Sequence, residues 1–362
     1  MNDVTAYQAA AARIAVDVAD LTKTYRGARR APVHALRGLT FQVPAGIVFS
    51  MLGPNGAGKS TTTKILTTLS RPSGGSARID GIDVVRRPAE VRQHIGYVSQ
   101  GASTDPLLTG TENLVLAGRL RGMSSADARA RASALLTEFG LAEAAHRPVG
   151  KFSGGMRRRL DVAAALVHAP RVLFLDEPTT GLDPEARAAM WAEIRRLSAE
   201  RAITVILTTH YLEEADRLAD DVMIIDHGTR VVSGSPDELK ASLNGDTLRV
   251  ALIEPDVESV RAATSRVAGL RDVVVESQGT SGQLVARTDD ASAAVAPTIA
   301  ALEAAGIVFG AVSASRPSLD DVYLHYAGRS FDTADASTSA DEAASGTQAG
   351  GRNDIIPNGE AA

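Results

Sequence analysis

The 362-residue sequence contains no cysteine, which excludes disulfides and thiolate metal sites and is compatible with a reducing compartment. It has no surplus of positive charge: 38 Lys and Arg stand against 43 Asp and Glu, a formal net charge of −5 with a pI near 5.9. Dedicated nucleic-acid binders usually carry a basic domain, so no nucleic-acid partner is expected. The local arginine groups, Arg29 with Arg30, Arg86 with Arg87, and Arg157 to Arg159, read as solvated faces. No transmembrane run is evident. The nearest candidate, Ala291 to Ser315, is rich in Ala, Ser and Gly, and carries Pro297 and, near its middle, Glu303, which a bilayer penalises. It reads as a soluble helix followed by a strand. The opening MNDVTAYQAAAARI lacks a basic region followed by a long apolar core, so a cleaved signal peptide is not expected.

What is present divides the chain. After an N-terminal extension (residues 1–13), short apolar runs alternate with helical stretches to about residue 240. GIVFSML, VLFLDE and ITVILTTH are strand-like, and each ends on polar or glycine residues. That alternation predicts an α/β fold with a mostly parallel sheet, whose ligands collect beyond the carboxyl ends of the strands. Between about 101 and 155 the strand signal gives way to helical spacing in TENLVLAGRLRGM and SSADARARASALLTEFGL, which predicts a helical subdomain. Residues 246–330 show a β-α-β-β-α-β order, the pattern of a small α+β, ferredoxin-like unit. From 331 to 362 the chain is Ala/Ser/Gly-rich and acidic, with too few apolar groups to offset ordering entropy, and a disordered tail is expected.

Three stretches carry chemistry. Gly53, Pro54, Asn55, Gly56, Ala57, Gly58, Lys59 and Ser60, followed by Thr61, satisfy the phosphate-loop pattern G-x-x-x-x-G-K-[ST] between a strand-like run and a helix. Glycines let backbone N–H groups turn around an anion, and the following helix aims its N-terminal donors at the same point. Lys59 would reach the β- and γ-phosphates, and the Ser60 hydroxyl would ligate Mg²⁺. In RVLFLDEP, Asp176 ends an apolar strand and would bind Mg²⁺ through water, while Glu177 is placed as general base toward the attacking water. The third stretch, Phe152-Ser153-Gly154-Gly155-Met156-Arg157, opens a helix and so offers a second anion-binding N-terminus; taken alone it reads better as a flexible linker.

With GPNGAGKST, FSGGM and LFLDEP in this order, the sequence resembles the nucleotide-binding subunit of ABC transporters over residues 14–240. The resemblance implies ATP and Mg²⁺ as ligands and assigns further residues. Gln100 resembles the glutamine that senses Mg²⁺ and the permease, and Asp183 in TGLD the aspartate that communicates across the dimer. His210 resembles the switch histidine at the γ-phosphate. Tyr25 resembles the aromatic that stacks on adenine, although an ordinary partly buried tyrosine is also compatible. Met156 stands where the family usually has glutamine and Phe152 where it has leucine; the phosphate-facing Ser153 and Gly155 remain. FSGGMRRRLD with the later PSLDDVYLHYAGR is similar to daunorubicin-resistance-type exporter ATPases.

The family geometry implies a homodimer with composite ATP sites, each formed by the phosphate loop of one copy and the Ser153 helix of the other. It also implies a separate integral-membrane permease docking near Gln100 and the helical subdomain, which would hold the chain indirectly at the cytoplasmic face of the cell membrane. Alternatives are an ATPase energising lipid or polysaccharide export, or a non-transport ABC ATPase on ribosomes or DNA. The last would need long coiled coils or a second cassette, and neither is present in the sequence.

Overall fold

The computed structural model describes residues 13–27, 30–101, 103–328 and 330–331. The extension before residue 13 and the tail from residue 332 lie outside them. Two long antiparallel strands, β1 (Ile14–Gly27) and β2 (Arg30–Pro44), lead into β3 (Val48–Leu52) and helix α1 (Lys59–Leu66). β4 (Gly74–Ile79) and β5 (Ile82–Asp83) then return to the first pair, giving an antiparallel sheet ordered β2-β1-β4-β5.

Helix α2 (Pro88–His94) precedes β6 (Ile95–Val98), after which the chain becomes helical as the sequence predicts: α3 (Gly110–Leu120), α4 (Ser125–Glu138) and α5 (Gly154–Ala165). Local chemistry starts each helix. Thr109 and Glu112 form a reciprocal capping box on α3, Ser124 caps α4, and Ser153 caps α5. The remainder alternates β7 (Val172–Asp176), α6 (Pro184–Arg201), β8 (Thr204–Thr209), α7 (Leu212–Leu218), β9 (Asp221–Asp226), β10 (Thr229–Gly234) and α8 (Pro236–Ala241).

These strands make a six-stranded sheet, β10-β9-β3-β8-β7-β6, parallel except for β10. β3, β7 and β8 are buried along their whole lengths, which is why they read as continuous apolar runs rather than alternating ones. Alternate residues serve opposite faces. Phe49 stacks on Phe41 (centroids 5.5 Å apart) in the layer beneath the antiparallel sheet, while Val48, Leu173 and Leu207 pack toward the helices with Leu135, Leu160 and Ile194. Each such side chain contributes roughly 1.5–3 kcal/mol relative to exposure. Register places the chemistry: Leu52 pairs with Thr209 and Asp176 with Thr208, so β3, β7 and β8 end level. Gly53, Glu177 and His210 therefore leave the sheet from one edge.

Past residue 245 the order is β11 (Asp246–Ile253), α9 (Val257–Thr264), β12 (Arg271–Gln278), β13 (Ser281–Thr288), α10 (Ala291–Ala304) and β14 (Phe309–Ser315). The strands form an antiparallel sheet ordered β12-β13-β11-β14. Its core holds Val250, Leu252, Val260, Leu284 and Leu302. The Ala291 to Ser315 stretch is a helix and then a strand, and among the described residues no helix is long and apolar enough to cross a membrane.

The last helix, α11 (Leu319–Ala327), packs differently from what chain order suggests. Leu319, Val322 and fully buried Tyr323 join Leu52, Val222, Ile224 and Leu239 of the first unit, with Phe331 edge-on to Tyr323 at 4.9 Å. Its acidic start faces the other way: Arg249 of β11 donates to Asp321 at 2.6 Å and to Asp320 at 3.2 Å. The helix thus bridges both units.

Candidate functional site

The glycines of the phosphate loop are bare for two different physical reasons. Gly56 (φ +73°) and Gly58 (φ +109°) occupy left-handed backbone, as the anion-cradle reading expects. Gly53 does not. A Cβ there would sit 2.2 Å from the Ile225 carbonyl oxygen of β9, so this glycine is required by the close approach of a neighbouring strand. Helix α1 starts without a side-chain cap and without an acid in its first turn, which leaves its N-terminal donors for an anion. Lys59, buried with 4% of its surface exposed, curls back so that Nζ donates to the carbonyls of Gly53 (2.6 Å) and Pro54 (3.0 Å).

Beside it stands Asp176, whose Oδ1 accepts from Thr208 Oγ1 at 2.6 Å and from Ser60 Oγ at 3.4 Å. The Tyr97 hydroxyl is pushed up to about 12, first by burial and then by the charge and hydrogen bond of Asp176. The chain then turns at Glu177, a non-glycine residue with φ +47°, held there by its N–H donating to Thr208 O (3.1 Å) and Oγ1 (3.2 Å). The Glu177 carboxylate is bonded on both oxygens. Oε1 lies 3.1 Å from His210 Nδ1, while Oε2 accepts from Gln100 Nε2 at 2.9 Å and Thr180 Oγ1 at 3.2 Å. The His210 hydrogen bond holds its carboxyl below the usual range; burial opposes this, and the charges of His210 and Lys59 assist it.

The imidazole is backed by an aromatic neighbour. The His210 ring packs 4.1 Å from that of Tyr211, which in turn carries the Arg187 guanidinium at 5.1 Å. Glu214, fully buried on α7, accepts from Thr179 Oγ1 (2.8 Å) and from Trp191 Nε1 (3.1 Å), and burial raises its carboxyl pKa. It ties α6, α7 and the segment after Glu177 together.

Lys59, Ser60, Gln100, Asp176, Glu177 and His210 are thus brought together, whereas the Ser153 helix faces another surface. Ser153 Oγ accepts from Met156 N at 3.2 Å, and Asp183 caps α6 by accepting from Ala186 N at 2.8 Å. The two caps open on one concavity of about 260 Å³ that also includes Gly155, Arg159 and Ala186 and no residue of the phosphate loop. A Cβ on Gly155 would lie 3.0 Å from Ala186 Cβ, so α5 and α6 pack closely there, while Gly154 has ordinary clearance from Leu182.

Tyr25 is 42% exposed, with Lys23 Nζ 4.8 Å above its ring. It pairs with Val33, two residues before Ala35, whose carbonyl lies 2.8 Å from where a Gly58 Cβ would be; the hairpin end therefore overlies the start of α1.

Two arginines depart from the solvated face that the sequence suggests. Of Arg157 to Arg159, only Arg157 is exposed; Arg159 is half-buried, donating to Phe139 O at 3.1 Å, and Arg158 is buried with 8% exposure. The Arg158 guanidinium reaches the carbonyls of Ser99, Asp176, Glu177 and Pro178. Arg86 and Arg87 are exposed as expected.

A family model described as ABC transporter matches residues 36–180. The chain is 44% identical over 328 residues to the daunorubicin/doxorubicin resistance ATP-binding protein DrrA of Streptomyces peucetius, covering 91% of this chain and 97% of that one. It is also 44% identical over 233 residues to the Nod factor export ATP-binding protein I of Burkholderia lata, covering 64% and 76%. Among solved structures, a dimeric post-hydrolysis state of the ATP-binding cassette MJ0796 bound to ADP and Pi aligns with a TM-score of 0.55 at 28% identity, covering 61% of this chain and 98% of that one. CbiO1 from Clostridium perfringens, part of the ABC transporter complex cbiONQ, aligns with a TM-score of 0.57 at 25% identity, covering 70% and 96%.

Proposed function

The chain belongs to the ABC transporter family as an ATP-binding subunit, and from that premise we propose that it hydrolyses ATP to drive a separate permease exporting drugs, antibiotics or similar hydrophobic compounds. One observation carries the hydrolytic reading: at the level carboxyl ends of β7 and β8, beside the phosphate loop, Glu177 is clasped by both Gln100 and His210. For the cargo class, an alignment of 328 residues extends well past the cassette into residues 246–330, and the relative it reaches is named for daunorubicin and doxorubicin resistance. The alignment to the Nod factor export relative covers 233 residues, and an ATPase energising lipid or polysaccharide export is the second reading.

Each residue then has a role. The loop from Gly53 to Thr61 holds the phosphates through Lys59 and its backbone N–H groups, which Pro54 lacks, and Tyr25 stacks on the base. Glu177 accepts the proton of the attacking water, His210 keeps the γ-phosphate in line, and Gln100 positions the water and the carboxylate. The Ser60 hydroxyl and the buried Asp176 carboxylate suit a hard divalent cation, to which Gln100, bonded to Glu177 through Nε2, would add its amide oxygen. Bound Mg²⁺ would supply charge neutralisation at the phosphates.

The concavity shared by Ser153, Gly155 and Asp183 would meet the triphosphate of a second copy, making two composite sites per symmetric dimer. The permease would dock near Gln100 and the helices from 101 to 155, keeping the chain peripheral to the cytoplasmic face of the membrane. Residues 246–330 read as a ferredoxin-like accessory unit, on the support of their β-α-β-β-α-β order and the sheet order β12-β13-β11-β14. The deciding experiment is Glu177→Gln: the purified chain should still bind ATP and associate with it, with turnover reduced roughly 10²–10³-fold. Undiminished hydrolysis would remove Glu177 from its role.

A further inference from the structure

Arg158 lies in the FSGGMRRRLD stretch, beyond the phosphate-facing Ser153 and Gly155. It projects from α5, the helix capped by Ser153, and its donors go to main-chain carbonyls. Nε donates to Pro178 O at 2.9 Å, Nη1 to Ser99 O at 2.6 Å, and Nη2 to Asp176 O at 3.0 Å and Glu177 O at 3.3 Å. A planar fork can serve carbonyls on several sides at once, which the ammonium of a lysine cannot reproduce from the same stem. Burial disfavours a cation this deep and pulls the Arg158 pKa down, while the charges of Asp161, Asp176 and Glu214 oppose that cost in part.

The carbonyls it holds are not a random set. Three belong to the consecutive residues Asp176, Glu177 and Pro178, spanning the left-handed turn at Glu177, whose N–H is already committed to Thr208. The fourth belongs to Ser99, the residue before Gln100. Arg158 therefore grips both backbones whose side chains meet in the 2.9 Å bond between Gln100 and Glu177.

We propose that Arg158 is a positioning residue for hydrolysis: from the helix that begins at Ser153 it fixes Glu177 and the Gln100 turn, so that the N-terminus offered to a second copy's triphosphate and this copy's own general base move as one body. The proposal rests on the general-base role of Glu177. It makes engagement of the Ser153 helix in one site a direct mechanical input to the water-activating carboxylate of the other, through a single side chain.

The test uses the full chain with Arg158→Lys, with Arg158→Met as the second variant should lysine fail to fold, and Arg86→Ala, on an exposed arginine outside the site, as control. Folding is checked by circular dichroism and thermal unfolding. Arg158→Lys should leave the KM for ATP within about twofold while kcat falls at least about tenfold, and the control should match wild type. Placed on Glu177→Gln, the same substitution should change the residual rate by less than about twofold, since the group it positions is already gone. Wild-type kcat in a folded Arg158 variant, alongside a strongly impaired Glu177→Gln, would overturn the proposal and leave the general base intact. A full repeat of the loss on the Glu177→Gln background would overturn it equally. A silent Glu177→Gln would sink the general-base reading and the proposal with it.

Discussion

His210 Nδ1 and Glu177 Oε1 stand 3.1 Å apart, joining the residues that follow β8 and β7, and this bond is the chief reason the Glu177 carboxyl titrates below its ordinary range. The histidine thereby favours the charged form of the base. Both groups owe their meeting to strand register rather than to sequence proximity.

Replacing His210 with Asn should expose this coupling in a pH profile. A depressed pKa means that Glu177 stays charged as pH falls, until pH passes the folded-state value. Without the imidazole, burial acts with less opposition and the pKa rises. The acid limb of kcat/KM should then shift to higher pH, with activity near neutrality reduced about 10²-fold. An acid limb that does not move in the variant would contradict the cause assigned to the shift.

Gly53→Ala tests why the first glycine of the phosphate loop is bare. With Ile225 O only 2.2 Å from the new methyl, either β9 or the loop must shift, because the obstacle is backbone. The expected loss is about 1–3 kcal/mol in urea unfolding, accompanied by weaker ATP binding. Unchanged stability with weakened binding would mean that the residue serves the anion alone.

Tyr323→Ala addresses the bridge at α11. This fully buried ring packs in one cluster with Leu52 and Ile224, so its truncation should cost about 3–5 kcal/mol. The loss should appear in the unfolding of the cassette itself. A transition confined to residues 246–330 would show instead that α11 belongs energetically to that unit.

Legibility from sequence followed contiguity. The phosphate loop, LFLDEP and ITVILTTH are short runs in which pattern and chemistry coincide, and the structure brings Lys59, Ser60, Asp176, Glu177 and His210 to one sheet edge. The strands and helices of 246–315 were equally readable, because each element carries its own period and its own cap, Asp256 for α9 and Asp290 for α10. Arg158 was not readable. Its neighbours Arg157 and Arg159 share its composition, and only the packing of α5 against the ends of β6 and β7 turns one of the three inward. Gly53 satisfies the motif for a reason set by β9, far along the chain. The partition at residue 246 follows chain order, which does not reveal that the apolar face of α11 returns to the first unit.

The lone tryptophan of the chain, Trp191, donates its indole N–H to Glu214 at 3.1 Å, at the joint between the Asp183 helix and the segment that carries His210. The protein is consequently fitted with its own optical reporter. Indole emission responds to a neighbouring carboxylate and to solvent entry, so rearrangement of this joint during turnover can be followed in unlabelled protein, with no competing indole signal from elsewhere in the chain.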